Sequence, residues 1–172
     1  VPTKNLQIEF LNKWRNKNIY GEDNPLAPYA IPFEYQFAIT MMAQPLAWFE
    51  GTGLPEEALK IAPVIKKYRE IQKDIHAGIV YPIGNEPSGF GWTGFQSVLN
   101  ENSGYLLIFR EKNEYSQMKI KTFLPADSRI KLVPMLGDGK SQEQTVGSGQ
   151  ELEVFLPHEF SYALYRYETN MN

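Results

Sequence analysis

The sequence predicts an α+β fold in which a helical segment is followed by an antiparallel β-sandwich. Apolar residues recur every three or four positions up to Gly78 and form one helical stripe, made of Ile61, Val64, Tyr68, Ile71 and Ile75. From Ile79 onward the hydrophobic period changes to two, which is typical of strands. We therefore expect a first domain at residues 1–78 and a sandwich domain at residues 79–172.

The first twenty residues fit either a strand or a helix. Leu6, Ile8 and Phe10 alternate as in a strand, whereas Leu6, Phe10 and Trp14 recur every four positions as on a helix. We favour the helix. Residues 21–32 contain three prolines and show no sustained period, which predicts an ordered surface loop of the kind that often carries function.

A helix, a short strand and a second helix are predicted next. Residues 33–43 read as a helix, and the apolar run at residues 45–50 fits a buried strand. Pro55, followed by two acidic residues, is a good helix start, because proline lacks only a donor that the first turn leaves unused. Pro63 predicts a kink or a break into a short and a long helix.

The second half of the chain reads as a series of strands with short connections. The predicted strands are 79–81, 93–99, 104–111, 116–123, 129–135, 151–156 and 160–167. Residues 136–149 are rich in turn-forming residues and are expected to form a loop. This spacing of strands is typical of all-β sandwiches.

Composition excludes several classes of function. The net charge is −3, from 17 basic and 20 acidic residues without a run of one sign, so we expect no nucleic-acid partner and no anionic membrane. Cysteine is absent, which removes thiol catalysis and thiolate metal sites. The two histidines, His76 and His158, lack metal-ligand spacing, and we expect no cofactor. The compartment stays open, with a periplasmic or secreted location as options.

The order of strand and helix in residues 1–78 matches the closing units of a (β/α)8 barrel. Such a barrel has about 250 residues, or about 30 per βα unit, so this segment supplies only two or three units. A partial barrel exposes sheet edges and an apolar inner face. The expected partner is therefore a missing N-terminal part of the same polypeptide, although swapping between copies leaves a homo-oligomer open.

Several segments, taken in order, carry a resemblance to a known family. They are AITMMAQPLAWFE, LPEEALKIAPVIKKYREIQKDIHAGIVYPIG, WTGFQS, GYLLIFRE and LPHEFSYALYRYE. In this order they resemble the C-terminal part of melibiase-type (α-galactosidase-like) glycoside hydrolases. The resemblance implies that the last barrel strand and helix run into a C-terminal β-sandwich. It also implies that the catalytic aspartates lie on middle barrel strands, before this chain begins, so no catalytic residue is assigned here.

Two tryptophans are predicted to contact a carbohydrate substrate. A flat apolar ring such as that of Trp48 or Trp92 matches the C–H face of a sugar and excludes water from it. Trp92 lies in the sequence FGWTGFQS, whose glycines bring the backbone close to whatever the ring contacts. Core packing remains the alternative for Trp48, and a plug between barrel and sandwich is the alternative for Trp92.

Among the acidic residues, Glu50 and Asp23 are the predicted substrate contacts. Glu50 follows the supposed last strand, at the rim where the active sites of barrel enzymes gather. Asp23 lies with Glu22 in the proline-rich loop, and Glu34 is a further carboxylate of the same type. A solvated carboxylate is the alternative for each of them.

These observations favour a C-terminal fragment of a glycoside hydrolase. We expect its sandwich to support the barrel and to border the sugar cleft, and we expect the fragment to be inactive by itself. The competing hypothesis is a free-standing module, a β-sandwich that binds carbohydrate or another protein.

Overall fold

The computed structural model describes residues 2–14, 19–21, 23–47 and 54–170. The chain divides into two compact units, Val1–Gln72 and Lys73–Asn172, which we call the front unit and the sandwich unit. The division falls inside the helix Ala62–Ala77, before the boundary expected at residue 79.

The front unit contains a pair of parallel strands joined through a helix. Strand β1 (Gln7–Glu9) pairs in parallel with β2 (Gln44–Leu46), and α1 (Phe33–Ile39) lies between them in the sequence. Short 3₁₀ helices occupy Thr3–Asn5 and Pro28–Ala30. A parallel pair needs such a crossover connection, because a hairpin only joins antiparallel strands.

A 3₁₀ helix at Glu56–Ile61 leads directly into α2 (Ala62–Ala77). Pro63 lies in the first turn of α2, where its missing N–H group costs no hydrogen bond. The predicted break near Pro63 is therefore confirmed as a change from 3₁₀ to α geometry.

Aromatic rings form the interior of the front unit. The Phe37 ring packs edge-on against Phe10 and Tyr68, at centroid distances of 5.3 and 5.5 Å. The Tyr68 hydroxyl donates to the carbonyl oxygen of Met41 at 2.8 Å. Burial raises the pKa of the Tyr68 phenol well above its usual value. The backbone that leads from α1 to β2 is thus fixed by one buried hydroxyl group.

The sandwich unit consists of antiparallel strands in two sheets, as predicted. The larger sheet has the strand order β3-β4-β5-β10-β7-β8, and the smaller sheet pairs β6 with β9. The strands are β3 (Ile79–Gly84), β4 (Trp92–Asn100), β5 (Ser103–Arg110), β6 (Gln117–Lys121), β7 (Arg129–Gly137), β8 (Gln142–Thr145), β9 (Glu151–Phe155) and β10 (Ser161–Asn170).

One hydrophobic core contains residues of both sheets. It includes Leu106, Ile108, Ile120, Ile130, Leu152 and Val154, which are all at most 2% exposed. A buried amide also links the sheets: Gln96 donates to the Tyr167 hydroxyl at 3.2 Å and accepts from the backbone N–H of Phe123 at 2.8 Å. Burial raises the pKa of Tyr167, and the hydrogen bond with Gln96 partly offsets that rise.

Two expectations from the sequence are wrong. The favoured helix in the first twenty residues is a 3₁₀ turn followed by β1, because backbone pairing with the distant β2 decides between two equal periodicities. The predicted loop at residues 136–149 contains β8, an edge strand paired only with β7. Its sequence, QEQT, is polar because an edge strand of this kind buries little side-chain surface.

Candidate functional site

The four predicted substrate contacts lie in very different surroundings. Trp48 and Glu50 lie outside the described residues, so their roles stay predictions. Asp23 is exposed in the loop before α1. Trp92 is 1% exposed and belongs to the core of the sandwich unit. A sugar contact for the Trp92 ring therefore stays a prediction that would require the core to open.

A pocket of about 250 Å³ lies in the front unit and is built by segments that follow each parallel strand. Lys13 and Trp14 come after β1, Pro32, Phe33 and Glu34 form the start of α1, and Glu57, Lys60 and Ile61 come after β2. We call it the rim pocket. In α/β folds ligands bind where the carboxyl ends of parallel strands meet the starts of helices, so its position is that of a functional site.

Aromatic rings form the apolar wall of the rim pocket. The half-buried Trp14 ring packs edge-on against Phe33, at a centroid distance of 4.8 Å. Phe33 in turn contacts Phe10 at 5.6 Å. Because Phe10 and Phe33 are buried, the Trp14 ring is supported from below by the core of the front unit. Because packing already restricts its motion, such a ring loses little conformational entropy when it binds the apolar face of a ligand.

The polar wall of the rim pocket carries both signs of charge. The Lys13 ammonium lies 4.0 Å from the Glu57 carboxylate and 5.7 Å from the centre of the Trp14 ring. Glu34 and Lys60 complete this wall. The two cations balance the two anions. The pocket therefore suits a neutral ligand with many hydroxyl groups, which needs donors and acceptors together but no net charge.

The sequence prediction found this site only in part. Glu34 was a candidate because of its residue type, whereas Trp14, Lys13, Glu57 and Lys60 were not predicted contacts. Their common feature is that each lies in a segment that follows a strand of the parallel pair, Lys13 and Trp14 after β1 and Glu57 and Lys60 after β2. It was hidden because the first twenty residues were assigned to a helix.

A second cavity, of about 380 Å³, lies on the larger sheet of the sandwich unit. Lys131, Val133, Met135, Arg166 and Glu168 of β7 and β10 line it. The Arg166 guanidinium lies 3.6 Å from the Glu168 carboxylate. The nearby Tyr105 is buried, which raises the pKa of its phenol; Asp74 raises that pKa further.

The described part of the chain contains no cluster of three or more side chains that could hold a metal ion. None of its helices combines the length and the hydrophobicity of a membrane span.

No protein-family model and no curated protein matches the sequence. The structure is similar to that of the GH36 α-galactosidase AgaA from Geobacillus stearothermophilus, with a TM-score of 0.57 and 13% identity over 87% of this chain. A structure of AgaA in complex with 1-deoxygalactonojirimycin gives the same TM-score at 10% identity over 81% of this chain. An Anoxybacillus α-amylase matches 84% of this chain and 34% of its own, with a TM-score of 0.52 and 9% identity.

The chain spans about one fifth of the length of the two α-galactosidase chains, 21% and 20% respectively. The identities are too low to indicate more than a common fold. The resemblance that the sequence motifs carried is confirmed at the level of the fold: this chain folds like part of an α-galactosidase chain.

Proposed function

We propose that this chain is the C-terminal part of a glycoside hydrolase of the α-galactosidase type. In this proposal the front unit supplies the last βα units of a (β/α)8 barrel, and the sandwich unit supports the barrel. The catalytic carboxylates belong to the rest of the barrel, so the chain is inactive by itself.

The observation that carries the proposal is the parallel pairing of β1 with β2 through α1. Sheets made only of parallel strands are normally covered on both faces, as in barrels. All three residues of β1 are nevertheless exposed, and those of β2 are half-exposed. Further parallel strands of the same polypeptide would pair with and cover these two, as in a closed barrel.

The rim pocket supports the choice of a sugar as substrate. Its supported Trp14 ring and its balanced donors and acceptors are the groups that bind a neutral polyol. The name of the similar enzyme gives the substrate class to test first, an α-galactoside.

The direct test compares this 172-residue chain with the longer polypeptide that the proposal expects the same gene to encode. Both are assayed with p-nitrophenyl α-galactoside and with p-nitrophenyl α-glucoside. We expect turnover by the longer polypeptide and none by the chain alone, because a retaining glycosidase needs two carboxylates about 5 Å apart and none is assigned here. Ordinary turnover by the chain alone would contradict the proposal, as would a longer polypeptide without glycosidase activity.

The predicted contacts, together with the Trp14 ring of the rim pocket, are tested in the longer polypeptide. Trp14→Ala, Trp48→Ala and Glu50→Gln are each expected to raise KM for the galactoside more than they lower kcat, because they remove binding groups and not catalytic ones. Asp23→Asn is a milder change in an exposed loop. Trp92→Ala is expected to unfold the sandwich unit, since Trp92 is buried in its core.

The sandwich unit has a hydrophobic core of its own, built from both of its sheets. This observation favours one second candidate, a free-standing carbohydrate-binding module. In that case this chain would bind sugars by itself, and no polypeptide that contains it would hydrolyse them. The same assay therefore separates the two functions.

A further inference from the structure

Two aromatic side chains project from neighbouring loops of the sandwich unit. Phe90 lies in the β3–β4 loop and is 51% exposed, and Tyr115 lies in the β5–β6 loop and is 61% exposed. Exposed aromatic residues on rigid loops are a typical feature of binding surfaces. What distinguishes this pair is how firmly the backbone beneath it is fixed.

One side chain, that of Asn113, holds the backbones of both aromatic residues. Its Nδ2 donates to the carbonyl oxygen of Phe90 at 2.8 Å, and its Oδ1 accepts from the backbone N–H of Tyr115 at 2.9 Å. The backbone N–H of Phe90 in turn donates to the Ser88 hydroxyl at 3.2 Å. Phe90 is thus fixed on both sides while its ring stays in solvent.

Two nearly buried charges fix the same loops from inside. The Glu111 carboxylate, in a residue that is 7% exposed, accepts from the backbone N–H groups of Gly91 at 2.8 Å and Ser88 at 3.3 Å. The guanidinium of Arg110, a residue that is 5% exposed, donates to the carbonyl oxygen of Asn113 through Nε and Nη2, and to that of Leu156 through Nη1.

Burying charged groups is costly unless they are fully hydrogen-bonded. In the described structure the Glu111 bonds go to the backbone and to a hydroxyl of the β3–β4 loop. The Arg110 bonds go to the backbone of the β5–β6 loop and to that of Leu156, which follows β9. Two backbone bonds add to them, from Glu111 N to Gly91 O and from Lys112 N to Gly89 O, both at 3.0 Å. The arrangement makes the two loops one rigid platform.

We propose that Phe90 and Tyr115 form a binding platform for a neutral oligosaccharide, separate from the rim pocket. Each ring would contact the apolar C–H face of one sugar unit. The exposed Asn85, near Gly91, offers an amide group to sugar hydroxyls. The rigid backbone removes the ordering cost that flexible loops impose on binding.

The charges near the platform favour a neutral ligand over an ion. Its exposed charged residues are Glu86, Lys112 and Glu114, which carry both signs. The choice of a sugar over another polar ligand rests on the proposed function, which supplies an oligosaccharide substrate. The platform would then bind part of a long substrate of that enzyme.

The proposal is tested by affinity electrophoresis of the 172-residue chain in native gels that contain galactomannan or soluble starch. We expect one polysaccharide to retard the chain. Phe90→Ala and Tyr115→Ala should each weaken binding about tenfold or more, the effect of removing an aromatic anchor from an interface. Asn113→Asp keeps the acceptor for Tyr115 but loses the donor to Phe90, and we expect an intermediate effect.

Phe123→Ala is the matched control. Phe123 is 53% exposed, like Phe90, but it lies beyond the other end of β6 and stacks on Tyr81 at 4.7 Å. We expect this variant to be retarded like the wild type. Circular dichroism spectra are recorded for each variant. An unchanged spectrum shows that a variant that is no longer retarded is still folded.

Three outcomes would overturn the platform proposal: no retardation in either gel, equal loss in Phe123→Ala, or retardation unchanged in Phe90→Ala and Tyr115→Ala. Concentration-dependent sedimentation that Phe90→Ala abolishes would instead identify a contact between copies of the chain. Failure of the platform leaves hydrolysis by the longer polypeptide intact. Retardation that depends on Phe90, together with a longer polypeptide that hydrolyses no glycoside, would overturn the proposed function alone.

Discussion

Strands β1 and β5 both contain apolar residues, but they differ completely in burial. All three residues of β1 are exposed, whereas every residue of β5 after Ser103 is buried. Strand β5 pairs on both sides, with β4 and β10. Within the described residues strand β1 pairs only with β2. The comparison teaches that two neighbouring strands bury β5 inside the sandwich unit, whereas the described part of the front unit leaves β1 exposed.

The largest expected effect is in the core of the sandwich unit. Ile108→Ala removes a fully buried side chain and should lower the free energy of unfolding by about 2–5 kcal/mol. Ile8→Ala, at a residue that is 39% exposed, should lower it by less than about 1 kcal/mol. Urea unfolding measures the loss of stability in each variant. Hydrogen exchange, read out by mass spectrometry, then shows in which unit that loss occurs.

The same pair of substitutions sharpens the comparison in the longer polypeptide. If missing barrel strands cover β1, then Ile8→Ala should become markedly more destabilising there, and Ile108→Ala should keep its cost. An equal, small cost of Ile8→Ala in both lengths would contradict the expected barrel partner.

The next-largest expected effect is that of the buried Tyr68 hydroxyl in the front unit. Tyr68→Phe removes the hydrogen bond to the carbonyl oxygen of Met41 and leaves that oxygen buried, so we expect a loss of about 1–2 kcal/mol at pH 7. Tyr115→Phe, at an exposed tyrosine, is the control and should cost nothing measurable.

Alkaline pH should reduce the difference in the free energy of unfolding between the wild type and Tyr68→Phe. Burial raises the pKa of Tyr68 in the folded chain, whereas the unfolded chain releases the phenol proton near pH 10. The unfolded state then binds fewer protons than the folded state, so the free energy of unfolding falls as pH rises above about 10. The wild type should lose more stability than Tyr68→Phe between pH 9 and about pH 11. Parallel curves for the two proteins would show that Tyr68 ionises normally.

Local patterns predicted most of the sandwich unit. The continuous apolar run of β5, the alternation in the second half of β10 and the helical stripe of α2 are each visible in the sequence, and the structure follows them. The helix favoured for the N-terminal segment was wrong because two periodicities fitted its apolar residues, and only pairing with β2, far along the chain, selects the strand. Strand β8 was missed because an edge strand need not alternate strongly.

The candidate sites were harder to predict than the fold. Trp92 was singled out as a rare aromatic residue between glycines, yet its ring is buried and its neighbour Phe90 is exposed. Sequence gives no indication of which of two aromatic residues on either side of a glycine faces solvent where a loop meets a strand. The loop that carries Phe90 is held by bonds from Glu111 and Asn113, which join segments about twenty residues apart.

The smallest expected effects are those of the surface ion pairs, which we expect to contribute little to the stability of either unit. The front unit has Lys13 and Glu57 at 4.0 Å, and the sandwich unit has Arg129 and Glu143 at 3.1 Å. A double-mutant cycle with Arg129→Gln and Glu143→Gln should give a coupling of about 0.5 kcal/mol, because water and salt screen both partners. The coupling should decrease further in 1 M salt. A coupling above about 2 kcal/mol would contradict this expectation and would mean that charge helps to hold the edge strand β8, in addition to its ladder with β7 and the bonds of Gln142 and Gln144 to the Glu153 backbone.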